Sequence, residues 1–266
     1  MKQRILVPVL LVIALVVVLL VLLKQQNTRD LNEILSDGRI TVLIDSGEHG
    51  FTRDSAKVAG FQYEVVKMFA DELGIELVIL QEPDHAKGNK ELADGDCDIV
   101  VSLQPLINDS ASSIVSVYPL LETNLMLVQL PDSAGKLPVT TQHQLDGKPI
   151  SLIKASPFEE VLLALAEDLA IEPEINETGL ASLDAMIQSI VTKTNKYTVC
   201  PEYLSKRLKR KYPQADFSLP LTFYLQLAWT VRDSSPVLKQ QLDTFITDFV
   251  GTANYWSLYN TYFMNE

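Results

Sequence analysis

Two short polar stretches directly follow apolar, strand-like runs of the sequence. Residues 46–51 come after the run 39–45, and residues 102–104 come after the run 97–101. Ligands of open α/β sheets bind in the crevice beyond the carboxyl ends of the strands. We therefore expect both stretches to approach one crevice, lined by hydrogen-bonding and aromatic side chains. The candidate ligand-binding residues in these stretches are Ser46, Phe51, Ser102 and Gln104.

Four further candidates lie outside these stretches. Ser156 precedes Pro157, the order expected where one residue caps a helix and proline takes the first helical position. The free backbone N–H groups of such a helix start form an anion site. A plain structural interpretation stays open, since Ser102 can merely end a strand and Ser156 merely cap a helix. The remaining candidates are Phe61, Asn124 and Glu202.

No local pattern indicates catalysis or metal binding. The histidines at 49, 85 and 143 are isolated and lack the spacing of zinc ligands. Neither a G-x-S-x-G motif nor a phosphate-binding loop occurs. The aspartates within residues 94–98 lack the twelve-residue loop of a calcium site. The sequence therefore predicts no catalytic residues, no metal and no cofactor, and a protein that is not an enzyme.

The charge balance argues against a nucleic-acid partner. The net charge is -12, from 34 acidic and 22 basic residues, whereas binding to a phosphate backbone needs clustered lysine and arginine. The one basic run, residues 206–211, falls on a predicted helix. We interpret it as a solvated helix face that ends in positive charge. The alternative is a surface for an acidic partner, such as anionic lipid or a cell-wall polymer.

Residues 1–27 are predicted to be a transmembrane anchor. The segment Ile5–Leu23 forms 19 uncharged residues, which as a helix reach about 28 Å, enough to span a bilayer core. Lys2 and Arg4 precede it, so the positive-inside rule places the N-terminus in the cytoplasm. A cleaved signal peptide is the alternative, but no small-residue cleavage site follows. The prediction is a single-pass inner-membrane protein with its bulk in the periplasm and a spacer at 28–37.

Strand-like and helix-like segments alternate from residue 38 onwards, which is typical of an α/β fold. Turn residues break the pattern at 131–138, and a second α/β series follows. The alternation predicts two lobes between which the chain crosses twice. The first lobe comprises residues 38–127 and 225–266, and the second comprises residues 128–224.

The chain has two cysteines, and each lies at the edge of an apolar run. Cys97 and Cys200 could pair in an oxidising compartment, but the sequence does not establish that they are close. We favour buried free thiols, because a bridge between the lobes would restrict their closure.

Several short motifs occur along this alternation. Residues 60–64 read GFQYE and residues 69–74 read FADELG, while residues 95–99 read GDCDI and residues 144–148 read QLDGK. Together they resemble elements of the extracellular solute-binding proteins that include the amino-acid-binding proteins of ABC importers. The resemblance implies a type II, two-lobed periplasmic-binding-protein-like fold with two hinge crossings, which closes around a small ligand.

Three other segments, at 155–160, 227–236 and 255–263, resemble the substrate-binding half of membrane-bound lytic murein transglycosylases. In those enzymes a lysozyme-like domain with a catalytic glutamate follows the binding domain, and this sequence ends at Glu266. We therefore expect no transglycosylase activity from this polypeptide.

The resemblance also bears on the ligand. Amino-acid-binding members carry an arginine after their third strand that grips the ligand carboxylate, where residues 106–110 here read LINDS. A charge-assisted bond of that kind contributes roughly 1.5–3 kcal/mol. A free α-amino acid is therefore not the expected ligand. Glu202 would be a shifted substitute for the acidic residue that meets the ligand amine in those proteins.

The predicted function is closure of two lobes around a small ligand, amino-acid-like, peptide or cell-wall fragment, for transport or sensing. The expected partners are the membrane, through the N-terminal helix, and a permease or cell-wall enzyme. One alternative is a non-catalytic scaffold or regulator of peptidoglycan-processing machinery. The other is an enzyme related to the lytic transglycosylases, for which the catalytic domain is expected to be absent.

Overall fold

The computed structural model describes residues 29–45, 50–54, 57–82, 85–107, 111–180 and 182–264. The predicted membrane anchor at 1–27 lies outside the described residues, as do Ser46 and His49. Among the residues that are described, none of the helices is both long enough and apolar enough to cross a membrane.

A mixed sheet of six strands forms the first half of the molecule. Its strand order is β4-β1-β5-β13-β6, with β7 also paired to β13. Strands β4, β1 and β5 run parallel, whereas β13 is antiparallel to β5, β6 and β7. These strands are β1 (Arg39–Ile44), β4 (Glu76–Gln81), β5 (Ile99–Pro105), β6 (Ile114–Ser116), β7 (Leu121–Thr123) and β13 (Leu225–Arg232).

Helices and one short hairpin pack against this first sheet. The longest N-terminal helix repeats apolar residues on one face, buried at Phe61, Val65 and Phe69, and it ends at Gly74 in the left-handed region with φ 69°. The elements are α1 (Leu31–Asp37), the hairpin β2 (Thr52–Asp54) and β3 (Lys57–Ala59), α2 (Phe61–Leu73), α3 (His85–Asp94), α7 (Pro236–Phe249), α8 (Ala253–Tyr259) and a final π-helical turn (Asn260–Met264).

In the part of the second half that the structure describes there are five strands. Strands β11 and β12 flank β8 in antiparallel pairs, β10 pairs with β9 in parallel, and a bridge between Ile150 and Tyr197 places β9 beside β11. The strands are β8 (Leu125–Gln129), β9 (Pro149–Ile153), β10 (Glu174–Thr178), β11 (Thr198–Pro201) and β12 (Asp216–Pro220). The helices are a 3-10 turn (Gln142–Leu145), α4 (Glu159–Leu169), α5 (Leu183–Val191) and α6 (Glu202–Lys211).

The chain passes between the two halves at two places. It leaves the first sheet after β7 and enters the second half at β8, with Asn124 as the single residue between them. It returns between β12 and β13 through residues 221–224. The sequence-based boundary after residue 127 falls inside β8, three residues later than the observed change of sheet. Two large apolar clusters, called here the first core and the second core, lie on either side of these crossings.

The structure departs from the predicted elements at two points. The predicted spacer at 28–37 was expected to be polar and partly helical; it contains α1, but this helix is not merely a spacer, because Asp30 caps it and Leu31 and Ile34 are buried in the first core. Helix α4 begins at Glu159 and the residue before it is Phe158, so Ser156 is not its cap. Ser156 instead lies in the turn that follows β9.

Both cysteines are free and buried, as favoured from the sequence. Burial raises the pKa of the Cys97 thiol to about 12, and it also raises the pKa of Cys200. Both thiols are therefore protonated at neutral pH and unreactive in the folded protein.

Candidate functional site

Asp45, which directly follows β1, lies beside Ser102 of the neighbouring parallel strand β5. Residues 102–104 were expected to follow their strand, but they lie within it, because β5 continues to Pro105. The register pairs Ile44 with Val101, so the next residue of each strand lies side by side. The Ser102 hydroxyl donates to the Asp45 carboxylate at 2.6 Å. Ser102 is only 1% exposed, whereas Asp45 is half-buried. The predicted Ser102 thus lies beside a carboxylate that the sequence did not single out.

Gln104 is occupied within the first half of the molecule. Its amide nitrogen donates to the Thr230 hydroxyl and to the Asn89 side-chain oxygen, each at 3.2 Å, and its oxygen accepts from Asn89 at 3.2 Å. The side chain is 4% exposed. These contacts tie β5 to β13 and α3, so they explain the burial of Gln104 without a ligand.

The two predicted aromatic candidates pack inside the first core. Phe61 is fully buried, and its ring lies 4.9 Å from that of Phe263. Phe51 is 4% exposed and packs edge-on against Tyr63 at 5.5 Å. Neither ring is open to solvent in this conformation, so their contribution to ligand binding stays a prediction.

Asn124 links both crossings to the second half. Its side-chain nitrogen donates to the Glu202 carboxylate at 2.7 Å, and its backbone carbonyl accepts from the Glu202 N–H at 2.8 Å. Its side-chain oxygen accepts from the N–H of Tyr224, in the returning crossing, at 3.3 Å. Two predicted site residues thus bond directly to each other where the chain changes sheet.

Tyr203 follows Glu202 on α6 and packs against the first half of the molecule. Its ring lies 4.9 Å from that of Phe263 and contacts the first core. Burial raises the pKa of the Tyr203 hydroxyl above its ordinary value, and the negative charge of Asp45 raises it further. The protonated hydroxyl of Tyr203 is therefore a hydrogen-bond donor in the electrostatic field of Asp45. Its position after the carboxyl end of β11 was a signal that could have identified it.

Ser156 lies in the turn between β9 and α4. Its hydroxyl accepts weakly from the N–H of Phe158 at 3.4 Å. The Phe158 side chain packs against both the first and the second core. The turn that contains Ser156 therefore approaches the junction of the two halves through its neighbour, Phe158.

The junction is rich in groups that accept hydrogen bonds. Ser102 bonds to the Asp45 carboxylate and Asn124 bonds to the Glu202 carboxylate, while the charge of Asp45 raises the pKa of Tyr203, the residue next to Glu202. Such a set suits a ligand with several N–H or O–H donors. Within the described residues, histidine, cysteine, aspartate and glutamate form no group of three that could hold a metal ion.

No model of a known protein family matches the chain. Its curated relatives include a protein of Desulfosudis oleivorans, 20% identical over 240 residues, and one of Alcanivorax borkumensis, 24% identical over 219 residues. The matches cover 90% and 82% of this chain and 52% and 46% of the relatives. Both are membrane-bound lytic murein transglycosylases F. Its homologues are the substrate-binding part of these proteins. The chain spans about half the length of the relatives it matches.

The structural neighbours are amino-acid-binding proteins. A Streptococcus pneumoniae substrate-binding protein of an amino-acid ABC transporter, solved with L-arginine, matches with a TM-score of 0.71 and 16% identity. An ancestral arginine-binding protein bound to arginine matches with a TM-score of 0.69 and 16% identity. The alignments cover 88% and 85% of this chain and 98% of each neighbour. The α/β fold is therefore that of the periplasmic amino-acid-binding proteins, and the resemblance predicted from the sequence is confirmed.

Proposed function

We propose that the chain is a membrane-anchored, extracytoplasmic solute-binding protein whose two lobes close around a small ligand. The observation that carries this proposal is the arrangement at Asn124, where two sheets with separate cores join through two crossings held by one side chain. Hinged closure needs such an arrangement, because a few residues at element ends absorb the motion. The similarity to proteins solved with bound arginine supports it.

The lobes of the proposal follow the two sheets. The first lobe holds residues 29–123 and 225–264, and the second holds residues 125–220. The ligand would lie between Asp45 and Ser102 on one side and Glu202 and Tyr203 on the other. The ligand would shift the protein from open towards closed conformations, to the extent that it binds the closed conformation more tightly than the open one.

The proposed ligand is an amine-bearing peptide or cell-wall fragment. Two carboxylates at the junction favour a ligand with positive charge or many donors. Residues 106–110 contain no arginine to pair with an α-carboxylate. The names of the relatives, which refer to murein, favour a cell-wall source. An amino-acid-like ligand remains part of the proposal because of the shared fold.

Two outputs of closure are compatible with this proposal. In a transport role, the closed protein delivers its ligand to a permease. In a sensing role, anchored by residues 1–27 to the inner membrane, it acts on a peptidoglycan-processing partner without catalysis of its own. The similarity to transglycosylase relatives favours the second output, and the similarity to transporter components favours the first.

Thermal unfolding of the full chain in a non-ionic detergent tests ligand binding. The probes are L-arginine, dipeptides and purified muropeptides. A ligand at 100 times its Kd stabilises by about 2.7 kcal/mol, which raises Tm by roughly 5–10 °C for a chain of this size. Replacement of Asp45 by Asn should abolish the shift and leave the ligand-free Tm within about 2 °C of the unchanged protein, since asparagine still accepts from Ser102.

The matched control is Asp168→Asn, on the exposed face of α4, which should retain the full shift. An equal shift in both variants would place the ligand elsewhere. Release of anhydro-sugars from peptidoglycan by the purified chain would overturn the non-catalytic part of the proposal.

A further inference from the structure

A groove of about 570 Å³ lies along helix α6, and Met264 of the C-terminal turn also lines it. Helix α6 forms one wall with Ser205, Lys206, Lys209 and Arg210, and residues 216–218 of β12 form the other. The volume is that of a binding site for a small molecule or a short stretch of peptide.

The helix wall of the groove is positive in a protein of net charge -12. No carboxylate of the described residues forms an ion pair with Lys206, Lys209 or Arg210. Lys209 donates to the carbonyls of Pro213 and Ala215, and Arg210 donates to the carbonyl of Met264 at 3.1 Å. Carbonyl contacts position these cations but leave their charge available for an anionic ligand.

One carboxylate does lie in the groove. Asp216 accepts from the N–H of Ser218 at 3.2 Å and from its hydroxyl at 2.9 Å. The groove therefore has three cationic side chains and one carboxylate, which is already hydrogen-bonded to Ser218, so its net charge is positive. By contrast Lys211, on the same helix but outside the groove, is paired with Asp184 at 2.6 Å.

The strand wall is a sheet edge. Strand β12 pairs with β8 on one side, and no other strand of the described residues pairs with it. An edge strand presents backbone N–H and C=O groups to which an extended peptide can add as a further strand. A groove between an edge strand and a helix therefore suits an extended peptide better than a flat lipid surface.

The spacing of the cations fits such a peptide. Lys206 and Arg210 are four positions apart on α6, so their side chains leave the helix about 5–6 Å apart. Side chains on one face of a strand repeat about every 6.6 Å, two residues at 3.3 Å each. An acidic residue at every second position would therefore bring successive carboxylates opposite Lys206 and Arg210.

We infer that this groove is a docking site for an extended acidic segment of a partner protein, which adds to β12 and faces the cations of α6. The lining of the groove shares no residue with the proposed ligand cleft, and the inference does not depend on that cleft. It gives the second lobe, which moves on closure in the proposed function, a surface of its own for a partner.

Fluorescence anisotropy of a labelled nonapeptide that alternates glutamate and threonine tests the site, with the full chain in a non-ionic detergent. We expect this peptide to bind, and we expect a peptide with glutamine in place of every glutamate not to bind. Lys206→Glu should weaken binding at least tenfold. The neighbouring Arg207→Glu makes the same charge change outside the groove lining and should alter the affinity less than twofold. Equal losses in the two variants would overturn the inference.

Two further probes distinguish strand addition from charge attraction alone. Methylation of alternate peptide amides should remove binding, because it blocks the backbone hydrogen bonds with β12. Retained affinity after methylation would contradict strand addition. Inorganic polyphosphate should bind at least tenfold more weakly than the peptide. If it binds as tightly or more tightly, and Lys206→Glu abolishes that binding, the groove is a general site for polyanions and the inference of a peptide site is wrong. Unchanged far-UV circular dichroism checks that both variants fold.

Discussion

At the scale of single residues, a buried ion cluster holds the first lobe together. Asp98 is 2% exposed, accepts from the N–H of Thr41 at 2.9 Å, and pairs with Arg29 at 3.0 Å and Arg232 at 3.3 Å. Arg232 is 4% exposed and also donates to the Arg29 carbonyl at 2.8 Å. The cluster connects Thr41 of β1, Asp98 next to β5 and Arg232 of β13, and it ties Arg29 to these strands.

Removal of the shared carboxylate should therefore be costly. Asp98→Ala leaves the deeply buried guanidinium of Arg232 without its anion, whereas Arg29 keeps its ion pair with Asp37, and should lower the free energy of unfolding by about 3–5 kcal/mol. Asp71→Ala removes only an exposed pair with Lys67 and should cost at most about 1 kcal/mol. Urea denaturation followed by the fluorescence of the buried Trp229 measures both. Similar losses in the two variants would mean that the cluster adds no more than a surface pair.

The residue-level predictions show what a single sequence can and cannot supply. The rule that ligands approach strand ends led to Ser102 and Glu202 as candidates, of which Glu202 follows β11 and Ser102 lies within β5. The same rule could not predict that Asp45 bonds to Ser102, since the two residues are 57 positions apart in the sequence. It also could not predict the packing that buries Gln104. Contacts across such distances depend on the pairing of strands, which residue types alone do not specify. The role of the candidate residues in ligand binding stays a prediction.

At the scale of elements, the periodicity of apolar residues predicts those helices and strands whose structure depends mainly on their own sequence. Helix α2 (Phe61–Leu73) is such a segment, because a regular apolar face and a terminal glycine define it locally. Helix α1 has only seven residues, too few to be stable alone, and it forms because Leu31 and Ile34 dock into the first core. The three-residue strands β6 and β7 likewise exist only through pairing with β13.

The C-terminal π-helical turn, Asn260–Met264, bridges the two lobes. The Phe263 ring lies 4.9 Å from Phe61 in the first lobe and 4.9 Å from Tyr203 in the second. The Tyr262 hydroxyl accepts from the Gly60 N–H at 3.1 Å and donates to the Glu64 carboxylate. This turn is therefore held by the first lobe and presents Phe263 to the second.

Truncation of the Phe263 side chain should lower the stability of the protein. Phe263→Ala should lower the free energy of unfolding by about 3–5 kcal/mol, because it opens a cavity at a site that is 1% exposed. Phe223→Ala removes the same ring from a site that is 67% exposed and should change it by at most about 0.5 kcal/mol. Chemical denaturation of the two variants measures the difference. A loss below 1 kcal/mol for Phe263→Ala would show that the turn is not packed as described.

At the scale of the whole molecule, the two halves of the fold differ in their sheets and in their apolar cores. Each has its own apolar core, and the contacts between them involve the crossings, the C-terminal turn and α6. The sequence predicts two lobes because two α/β series are separated by a turn-rich break, and this division stays a prediction. The position of the proposed hinge could not be predicted, since it depends on a side chain, Asn124, that bonds to residues 78 and 100 positions away.

The Asn124 hydrogen bonds predict how the lobes move. Asn124→Ala removes the bonds to the Glu202 carboxylate and to the returning crossing, so the ligand-free protein should populate more open conformations. Spin labels on cysteines introduced at the exposed Glu76 and Glu167 report the distance between the lobes, and the native thiols do not interfere because both are buried. We expect the distance distribution of Asn124→Ala to widen towards longer distances, while Asn176→Ala, on an exposed strand of the second lobe, leaves it unchanged. If both variants give the distribution of the unchanged protein, Asn124 does not control the hinge, and closure must be limited by the contacts of the C-terminal turn instead.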